Sequence, residues 1–85
     1  MELDGNAVAG QLHEIFGTEM TTAVGTCATC GAIAEVAESV VYLNAPGTVV
    51  RCRTCLNLLA VITHIREMNC VDLSGLAWLE ARRDG

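Results

Sequence analysis

The sequence predicts a small α+β fold of the zinc-ribbon class, in which a three-stranded antiparallel sheet carries two cysteine knuckles and an N-terminal helix packs on the sheet. Three observations predict it: the chain has 85 residues, four of its five cysteines form two C-x-x-C pairs, and a clear turn lies between those pairs. A chain this short buries little surface and often depends on a metal, disulfides or a partner.

The first predicted element is a helix near the N-terminus. Asp4 or Asn6 can cap it, and the apolar residues that follow fall on one broad helical face. Gly17 comes just after the last of these apolar residues, where glycine commonly ends a helix. The helix is therefore expected within residues 1–19.

Strands are predicted where β-branched or aromatic residues cluster and where apolar and polar residues alternate. The clearest turn is Asn44-Ala45-Pro46-Gly47, whose proline and glycine fit a type II turn. Two strands joined by this turn form a hairpin between the cysteine pairs. The predicted strand regions are 20–26, 32–42, 48–50, Leu58–Ile65 and 71–73. For Leu58–Ile65 the periodicity alone also allows a helix.

The C-terminal residues are predicted to be helical. Ser74 can cap one or two helical turns over residues 76–83, and the arginines at their end favour the negative pole of a helix. The whole chain is expected to be one domain, with the zinc ribbon over residues 20–74 and a tail over residues 75–85.

The strongest functional signal is the cysteine spacing. Two residues between cysteines let both sulfurs of a pair reach one ion, and two such pairs supply the four ligands of tetrahedral Zn²⁺. Gly31 relieves the first turn, and the hairpin brings the two pairs together. The predicted metal ligands are Cys27, Cys30, Cys52 and Cys55.

Two other roles are open for these cysteines. A rubredoxin-like iron site also uses two C-x-x-C pairs, but it usually has glycine after both pairs and aromatic packing around the metal. Here Leu56 follows the second pair, and the chain has one Trp, one Tyr and one Phe. A thiol–disulfide role for the first pair would need a thioredoxin-like βαβ context, which the flanking strands do not supply.

The remaining candidate ligands are expected to be structural. Cys70 is predicted to be a small buried hydrophobe, as free cysteines commonly are, with a reactive or additional metal-binding thiol as the alternative. His13 and His64 are predicted to be surface or partly hydrogen-bonded residues. Because four sulfurs saturate zinc, no position is left to activate water, and we expect no catalytic residue and no small-molecule substrate.

Charge and hydropathy limit the partners. The net charge is −5, with −6 in residues 1–50 and +1 in residues 51–85, and an acidic body repels polyanions. The longest apolar run in the C-terminal half, 58–62, is far shorter than the roughly 20 residues that span a bilayer. The N-terminus has no signal-peptide pattern. We therefore expect a cytoplasmic protein that binds neither membranes nor nucleic acid.

Several motifs are spread over nearly the whole chain, namely Leu3-Asp4-Gly5-Asn6-Ala7 with Ala9-Gly10, Phe16-Gly17-x-Glu19-Met20-Thr21, Cys27-x-x-Cys30-Gly31-Ala32, Ala45-Pro46-Gly47, Arg51-Cys52-x-x-Cys55 and Val71-Asp72-Leu73-x-Gly75. Together they resemble DUF6510, a family of uncharacterised actinobacterial proteins. The resemblance implies a zinc-ribbon-like protein without an assigned activity, and a role beside flavin- or molybdopterin-dependent oxidoreductases. Family members often have proline after the third cysteine, where this chain has Arg53.

Together these features predict a non-catalytic zinc-binding accessory protein. It would act through protein–protein interaction, with a protein partner or a second copy, using its helix and the apolar face around Leu58–Ile65. One alternative is a rubredoxin-like iron electron carrier. The other is a nucleic-acid- or transcription-linked zinc ribbon whose arginines line one side, namely Arg51, Arg53, Arg66, Arg82 and Arg83.

Overall fold

The computed structural model describes residues 2–44 and 47–81, which form a small α+β fold. Within these ranges it has one α-helix, two short 3-10 helices and eight strands. The helices are a 3-10 helix at Gly5–Val8, α1 (Ala9–Phe16) and a 3-10 helix at Val36–Glu38. The strands are β1 (Glu2–Asp4), β2 (Val24–Cys27), β3 (Ile33–Glu35), β4 (Val40–Asn44), β5 (Gly47–Arg51), β6 (Leu58–Ile65), β7 (Met68–Asp72) and β8 (Leu76–Glu80).

The strands form two antiparallel sheets. One has five strands in the order β1-β4-β5-β6-β7, and the other has three in the order β3-β2-β8. The α+β class and the N-terminal helix are confirmed, but the prediction of a single three-stranded sheet was wrong. The predicted ribbon corresponds to β4, β5 and β6 alone. In the structure β1 also pairs with β4, and β7 also pairs with β6.

Of the two predicted caps, Asp4 starts the helical segment, which begins as a 3-10 helix and continues as α1, and Gly17 ends it as predicted. The side chain of Asp4 accepts a hydrogen bond from the backbone N–H of Asn6 (3.0 Å) at the start of the 3-10 helix that leads into α1. Gly17 closes α1 in the left-handed conformation at φ 73°, and its N–H donates to the carbonyl of His13 at 2.8 Å. Asp4 therefore caps the 3-10 helix and Gly17 closes α1, whereas Val8 at the start of α1 itself makes no side-chain capping hydrogen bond.

The core lies between the inner face of the five-stranded sheet and a second layer made of α1 and the three-stranded sheet. Gln11 on α1 accepts a hydrogen bond from the hydroxyl of Thr48 on β5 (3.0 Å), which ties the helix to that face. The molecule measures 34 × 32 × 20 Å, as expected for two layers about 10 Å apart with their side chains. The buried core residues are Val8, Leu12, Met20, Ala23, Cys27, Val41, Val50, Cys52, Leu59, Ala60 and Ile62.

The strand predictions before the central hairpin were partly wrong. The strand predicted over 20–26 begins only at Val24, because Thr21 turns the chain by donating its N–H and its hydroxyl to the carboxylate of Glu19. The region predicted over 32–42 is interrupted by the 3-10 helix that follows β3, where Glu35 and Glu38 form a reciprocal capping box.

The central and later strands agree better with the sequence. The strand predicted over Leu58–Ile65 is confirmed as β6, and the segment 48–50 lies inside β5. The predicted turn between β4 and β5 includes two residues, 45 and 46, outside the described ranges, although Asn44 and Gly47 on either side pair in the ladder. The strand predicted over 71–73 is β7, which ends at Asp72.

The predicted C-terminal helix was wrong, because residues 76–80 form β8. This strand pairs with β2 from Val24–Glu80 to Cys27–Leu76. Gly75 fixes its start, since its N–H donates to the carbonyl of Leu59 and its carbonyl accepts from the N–H of Ala28. A helix this short is marginal in water, whereas the strand satisfies the backbone of β2. None of the helices in the described ranges is long and apolar enough to cross a membrane.

Candidate metal centre

The four predicted metal ligands lie together at one end of the molecule. All four sulfur atoms, from Cys27, Cys30, Cys52 and Cys55, are within 4.8 Å of one another. The sulfurs of Cys27 and Cys55 are 3.7 Å apart, as are those of Cys30 and Cys52. A tetrahedral ion with metal–sulfur distances of about 2.3 Å would place its sulfurs about 3.8 Å apart. The cluster therefore has the donor atoms and the size that a tetrahedral metal ion requires.

The hairpin of β4 and β5 brings the two cysteine pairs together, as the sequence predicted. Cys27 is the last residue of β2, and Cys52 follows the end of β5 directly. Val40 at the start of β4 pairs with Arg51 at the end of β5. The chain that leaves the first pair therefore returns beside it before the second pair begins.

Both knuckles have the same backbone hydrogen bonds. The carbonyl of Cys27 accepts from the N–H of Gly31 (3.0 Å), and its N–H donates to the carbonyl of Ala32 (2.9 Å). In the second knuckle the carbonyl of Cys52 accepts from the N–H of Leu56 (2.8 Å), and the N–H of Cys52 donates to the carbonyl of Asn57 (2.9 Å). Each knuckle is thus a closed turn that holds its two sulfurs on one side.

The residue after each pair has a left-handed backbone. Gly31 has φ 76°, which glycine adopts without steric cost, so the role predicted for it is confirmed. Leu56 occupies the equivalent position with φ 63°, where a side chain is strained. The Arg51 guanidinium donates to the carbonyl of Leu56 at 3.1 Å and so holds this strained residue in place.

The solvent exposure of the four cysteines differs across the cluster. Cys27 and Cys52 are buried and belong to the hydrophobic core, Cys55 is half-buried, and Cys30 is exposed. An ion held here would therefore connect the core of both sheets to the surface. It would also fix β2 to β5, which lie in different sheets.

The sulfurs have different proton affinities. Hydrogen bonds from the side-chain amide and the backbone N–H of Asn57 lower the pKa of Cys55 to about 6. Backbone N–H groups, that of Cys30 first, lower the pKa of Cys27. For Cys30 the N–H of Ala32 lowers the pKa, but desolvation and the neighbouring sulfurs outweigh it and raise the pKa to about 12. Four negatively charged thiolates this close together repel one another, and a bound divalent cation would offset that repulsion.

Two residues near the cluster were missed by sequence reasoning as contributors to it. The side-chain amide of Asn57 lies 3.4 Å from the sulfur of Cys55. Gly75 joins the first knuckle to β6 through its two backbone hydrogen bonds, and an added Cβ there would lie 1.8 Å from the carbonyl oxygen of Leu58. One signal in the sequence could have indicated the contact between Asn57 and Cys55: Asn57 comes two residues after the second cysteine of its pair.

The other candidate ligands lie outside the cluster. Cys70 is exposed on β7, at the edge of the five-stranded sheet, so the prediction that it is buried was wrong. The strand has a neighbour on one side only, and the side chain of Cys70 projects away from the core. His13 and His64 are both exposed, and His64 contacts the side chain of Asn69 at 3.0 Å.

The arginines that the nucleic-acid alternative requires do not form one patch among the described residues. Arg51 pairs with the first residue of β6, whereas Arg66 follows the last residue of that strand. Seven residue steps along a strand separate these ends by roughly 23 Å. Arg82 and Arg83 lie outside the described residues.

An apolar cleft lies next to the cysteines, between the two sheets. Residues from α1, from the second 3-10 helix and from strands of both sheets line it, and the lining includes Cys27, Cys52 and Arg53. Its other charged residues are Glu35 and Glu38. A substrate site usually combines an apolar lining with a few convergent polar groups. The apolar residues of this lining include Leu12, Phe16, Met20, Val50, Ile62, Leu73, Leu76 and Leu79.

Comparison with known families agrees with the motifs. The chain matches the family of unknown function DUF6510 over residues 1–84, and it belongs to that family. Comparisons with curated proteins and with solved structures give no match.

Proposed function

We propose that this chain is a non-catalytic zinc-binding protein of the cytoplasm that acts as an accessory module through protein–protein interaction. The observation that carries the proposal is the closed cluster of four thiols, whose 3.7 Å sulfur spacings suit a tetrahedral ion. Four thiolates around one ion leave no position for water or substrate. The ion would then serve the fold instead of a reaction.

Zinc is the metal that this donor set favours. Four thiolates in tetrahedral geometry select zinc or iron, and zinc is the usual choice in structural sites. A rubredoxin-like iron site usually has glycine after both cysteine pairs. Here Gly31 follows the first pair, but Leu56 follows the second. Iron remains an outcome of the test below.

Exposed apolar side chains on the surface support the interaction role. Several large apolar side chains are exposed, including Ile33, Ile65, Met68 and Trp78, each by at least half of its surface. Ile65 and Met68 are paired residues of the five-stranded sheet, whereas Ile33 and Trp78 lie on either side of Thr26 in the three-stranded sheet. These two separate exposed apolar sites are the candidates for a binding role. An oxidoreductase is the class of partner to test first, and the acidic net charge and the separated arginines give nucleic acid less support.

Elemental analysis of the purified full-length protein tests the metal. We expect one zinc per chain and a colourless protein. A red protein that contains iron and is reduced reversibly would replace the proposal with an electron carrier. Salt-sensitive binding of DNA or RNA would instead favour the transcription-linked alternative.

A co-purification experiment tests the interaction role. Tagged full-length protein should retain a defined protein at fixed stoichiometry in native mass spectrometry, or should associate with itself. A strictly monomeric protein that retains no partner would contradict the interaction role while leaving the zinc assignment intact.

A further inference from the structure

The outward face of the three-stranded sheet has a fixed arrangement of side chains. Gly25 in β2 faces the core, since an added Cβ there would lie 2.9 Å from the side chain of Leu76, which packs against the core. Side chains alternate along a strand, so Val24 and Thr26 on either side of this glycine point outward. The register then gives the face two rows, of which the first is Ile33, Thr26 and Trp78 and the second is Glu35, Val24 and Glu80.

These six residues form a shallow groove, which we call the β2 groove. Its floor is the central strand, where Val24 and Thr26 have short, half-buried side chains. Its sides are the longer side chains of β3 and β8, whose strands lie about 4.8 Å away on either side. In the first row these sides are apolar and open to solvent, with Ile33 70% and Trp78 62% exposed. In the second row both sides are glutamates, so the groove changes from apolar to acidic along its length.

On the β8 side of the groove an aromatic ring lies beside a carboxylate. The indole Nε1–H of Trp78 donates to Oε2 of Glu80 at 3.3 Å, which holds the two side chains together. Neither has another hydrogen bond, ion pair or ring contact within the described ranges. Across the groove, the Glu35 carboxylate accepts from the backbone N–H of Glu38 in the capping box, so it adds negative charge from a fixed position.

The charge around the groove has one sign. The strands β2, β3 and β8 contain no arginine, lysine or histidine. Residues 1–50, which supply two of these strands, have six acidic side chains and no arginine or lysine. An acidic surface attracts cationic groups and repels anionic ones. A nucleic acid, an acidic protein surface and the same face of a second copy are therefore all disfavoured as occupants.

We propose that the β2 groove binds an arginine side chain of a partner protein. This assignment rests on the proposed interaction function and names the chemistry of the partner. A guanidinium stacks on the face of tryptophan and pairs with a carboxylate through two parallel N–H groups. Trp78 and Glu80 offer both contacts side by side. Each carboxylate oxygen has two lone pairs, so the bond from the indole leaves Glu80 able to accept both N–H groups.

The shape of the groove suits arginine better than lysine. Arginine lays its methylene stem on apolar surface and keeps its charged head in water. The two rows lie about 6.8 Å apart, since each of two residues rises about 3.4 Å. A stem that lies on Thr26 between Ile33 and Trp78 therefore brings the guanidinium level with Glu80. Lysine has a compact, strongly hydrated charge, which neither stacks nor pairs through two groups.

Peptide binding to the zinc-loaded full chain, followed by ¹⁵N NMR, tests the proposal. The probe is a tripeptide amide with arginine between two glycines, and the matched probe has citrulline, which keeps the shape without the charge. Trp78 is the only tryptophan of the chain, so its indole N–H signal reports on the groove. The arginine peptide should shift this signal saturably with a millimolar dissociation constant, as suits one side chain, and citrulline should bind about tenfold more weakly.

Two substitutions of exposed residues locate the site. Glu80→Gln removes the charge of the carboxylate and should weaken the arginine peptide about threefold. Trp78→Leu removes the aromatic face and should weaken it by about the same factor, measured at the amide signal of Thr26. Glu67→Gln is the matched control, because it removes one exposed glutamate charge in the turn between β6 and β7. It should leave the dissociation constant unchanged.

Equal affinity for the citrulline and arginine peptides would overturn the proposal, and so would an equal loss of affinity in Glu67→Gln and Glu80→Gln. If the arginine peptide does not bind, but the full chain retains a partner protein that Glu80→Gln does not release, the groove assignment fails and the interaction role stands. If the arginine peptide binds as expected and no protein is retained at fixed stoichiometry, the arginine site stands and the accessory role fails.

Discussion

The two cysteine knuckles share a backbone but differ in the residues that complete it. Each closes with a hydrogen bond to the carbonyl of its first cysteine, and each has a left-handed residue next. The first uses Gly31 and Ala32 at the two positions after the pair, whereas the second uses Leu56 and Asn57. The shared C-x-x-C spacing gives both knuckles the same backbone, and the two residues after each pair determine its backbone strain and the pKa values of its thiols.

The difference suggests a division of roles. The first knuckle is unstrained and has no side-chain donor at the position of Asn57. The second is strained at Leu56 but stabilises a thiolate through the amide of Asn57. We therefore expect the second knuckle to have the higher metal affinity under acid conditions and the higher conformational energy.

The largest expected effect comes from removing one ligand. Cys30→Ser and Cys52→Ser should both abolish metal binding and unfold the protein, because structural zinc contributes on the order of 10 kcal/mol to folding. That is comparable to the whole stability of a small domain. Although Cys30 is exposed and Cys52 is buried, the effects should be alike, since each removes a ligand.

Metal content by mass spectrometry and far-UV circular dichroism check this prediction. Cys70→Ser is the control, because Cys70 is exposed and outside the cluster. It should keep both the metal and the fold. Folded, metal-loaded Cys30→Ser would mean that the cluster does not organise the fold.

The knuckles were predictable from sequence because their geometry is local. A C-x-x-C spacing fixes two sulfurs within one turn, and the hairpin between the pairs has strong local signals in its β-branched residues. The same reasoning named Asp4 or Asn6 as the cap of the N-terminal helical segment, of which Asp4 is the one observed, and placed its end at Gly17. In each case neighbouring residues alone determine the conformation.

The features that sequence reasoning missed depend on distant contacts. Residues 76–80 have reasonable helical propensity, and only pairing with β2 makes them a strand. Cys70 is apolar enough for the core, but its place on an edge strand exposes it. The left-handed backbone at Leu56 follows from closing the second knuckle, whereas leucine by itself disfavours that conformation.

The next effect tests the glycine of the first knuckle. Gly31→Ala should destabilise the zinc-loaded protein by about 1–2 kcal/mol, because alanine is strained at φ 76°. An added Cβ has no atom within 4 Å, so the cost is conformational. Urea unfolding at fixed free zinc measures it. Gly10→Ala is the matched control, since it has equal space but lies in α1, and it should stabilise the protein instead.

A smaller effect of opposite sign is expected in the second knuckle. Leu56→Gly relieves the strain at φ 63° but makes the unfolded chain more flexible, so the net stabilisation should stay below about 1 kcal/mol. Leu56→Ala removes the exposed side chain and keeps the strain, so it should not stabilise. The same urea experiment separates them. Equal stability of both variants would show that backbone strain is absent at this position.

The smallest expected effect is a shift in the pH at which protons displace the metal. The Asn57 amide lowers the pKa of Cys55, so the thiolate that binds metal persists above about pH 6 and is lost as the pH falls through that value. Asn57→Ala removes the side-chain donor, the pKa of Cys55 rises, and protons should displace the metal at a pH higher by roughly half a unit. A zinc indicator followed during acid titration measures the midpoint of release. Asn69→Ala, which changes an exposed asparagine hydrogen-bonded to His64, should leave the midpoint where it is. If both variants release zinc at the wild-type pH, the side chain of Asn57 does not contribute to the proton affinity of the second knuckle, and the strained backbone at Leu56 is left as the consequence of the different residues after the two pairs.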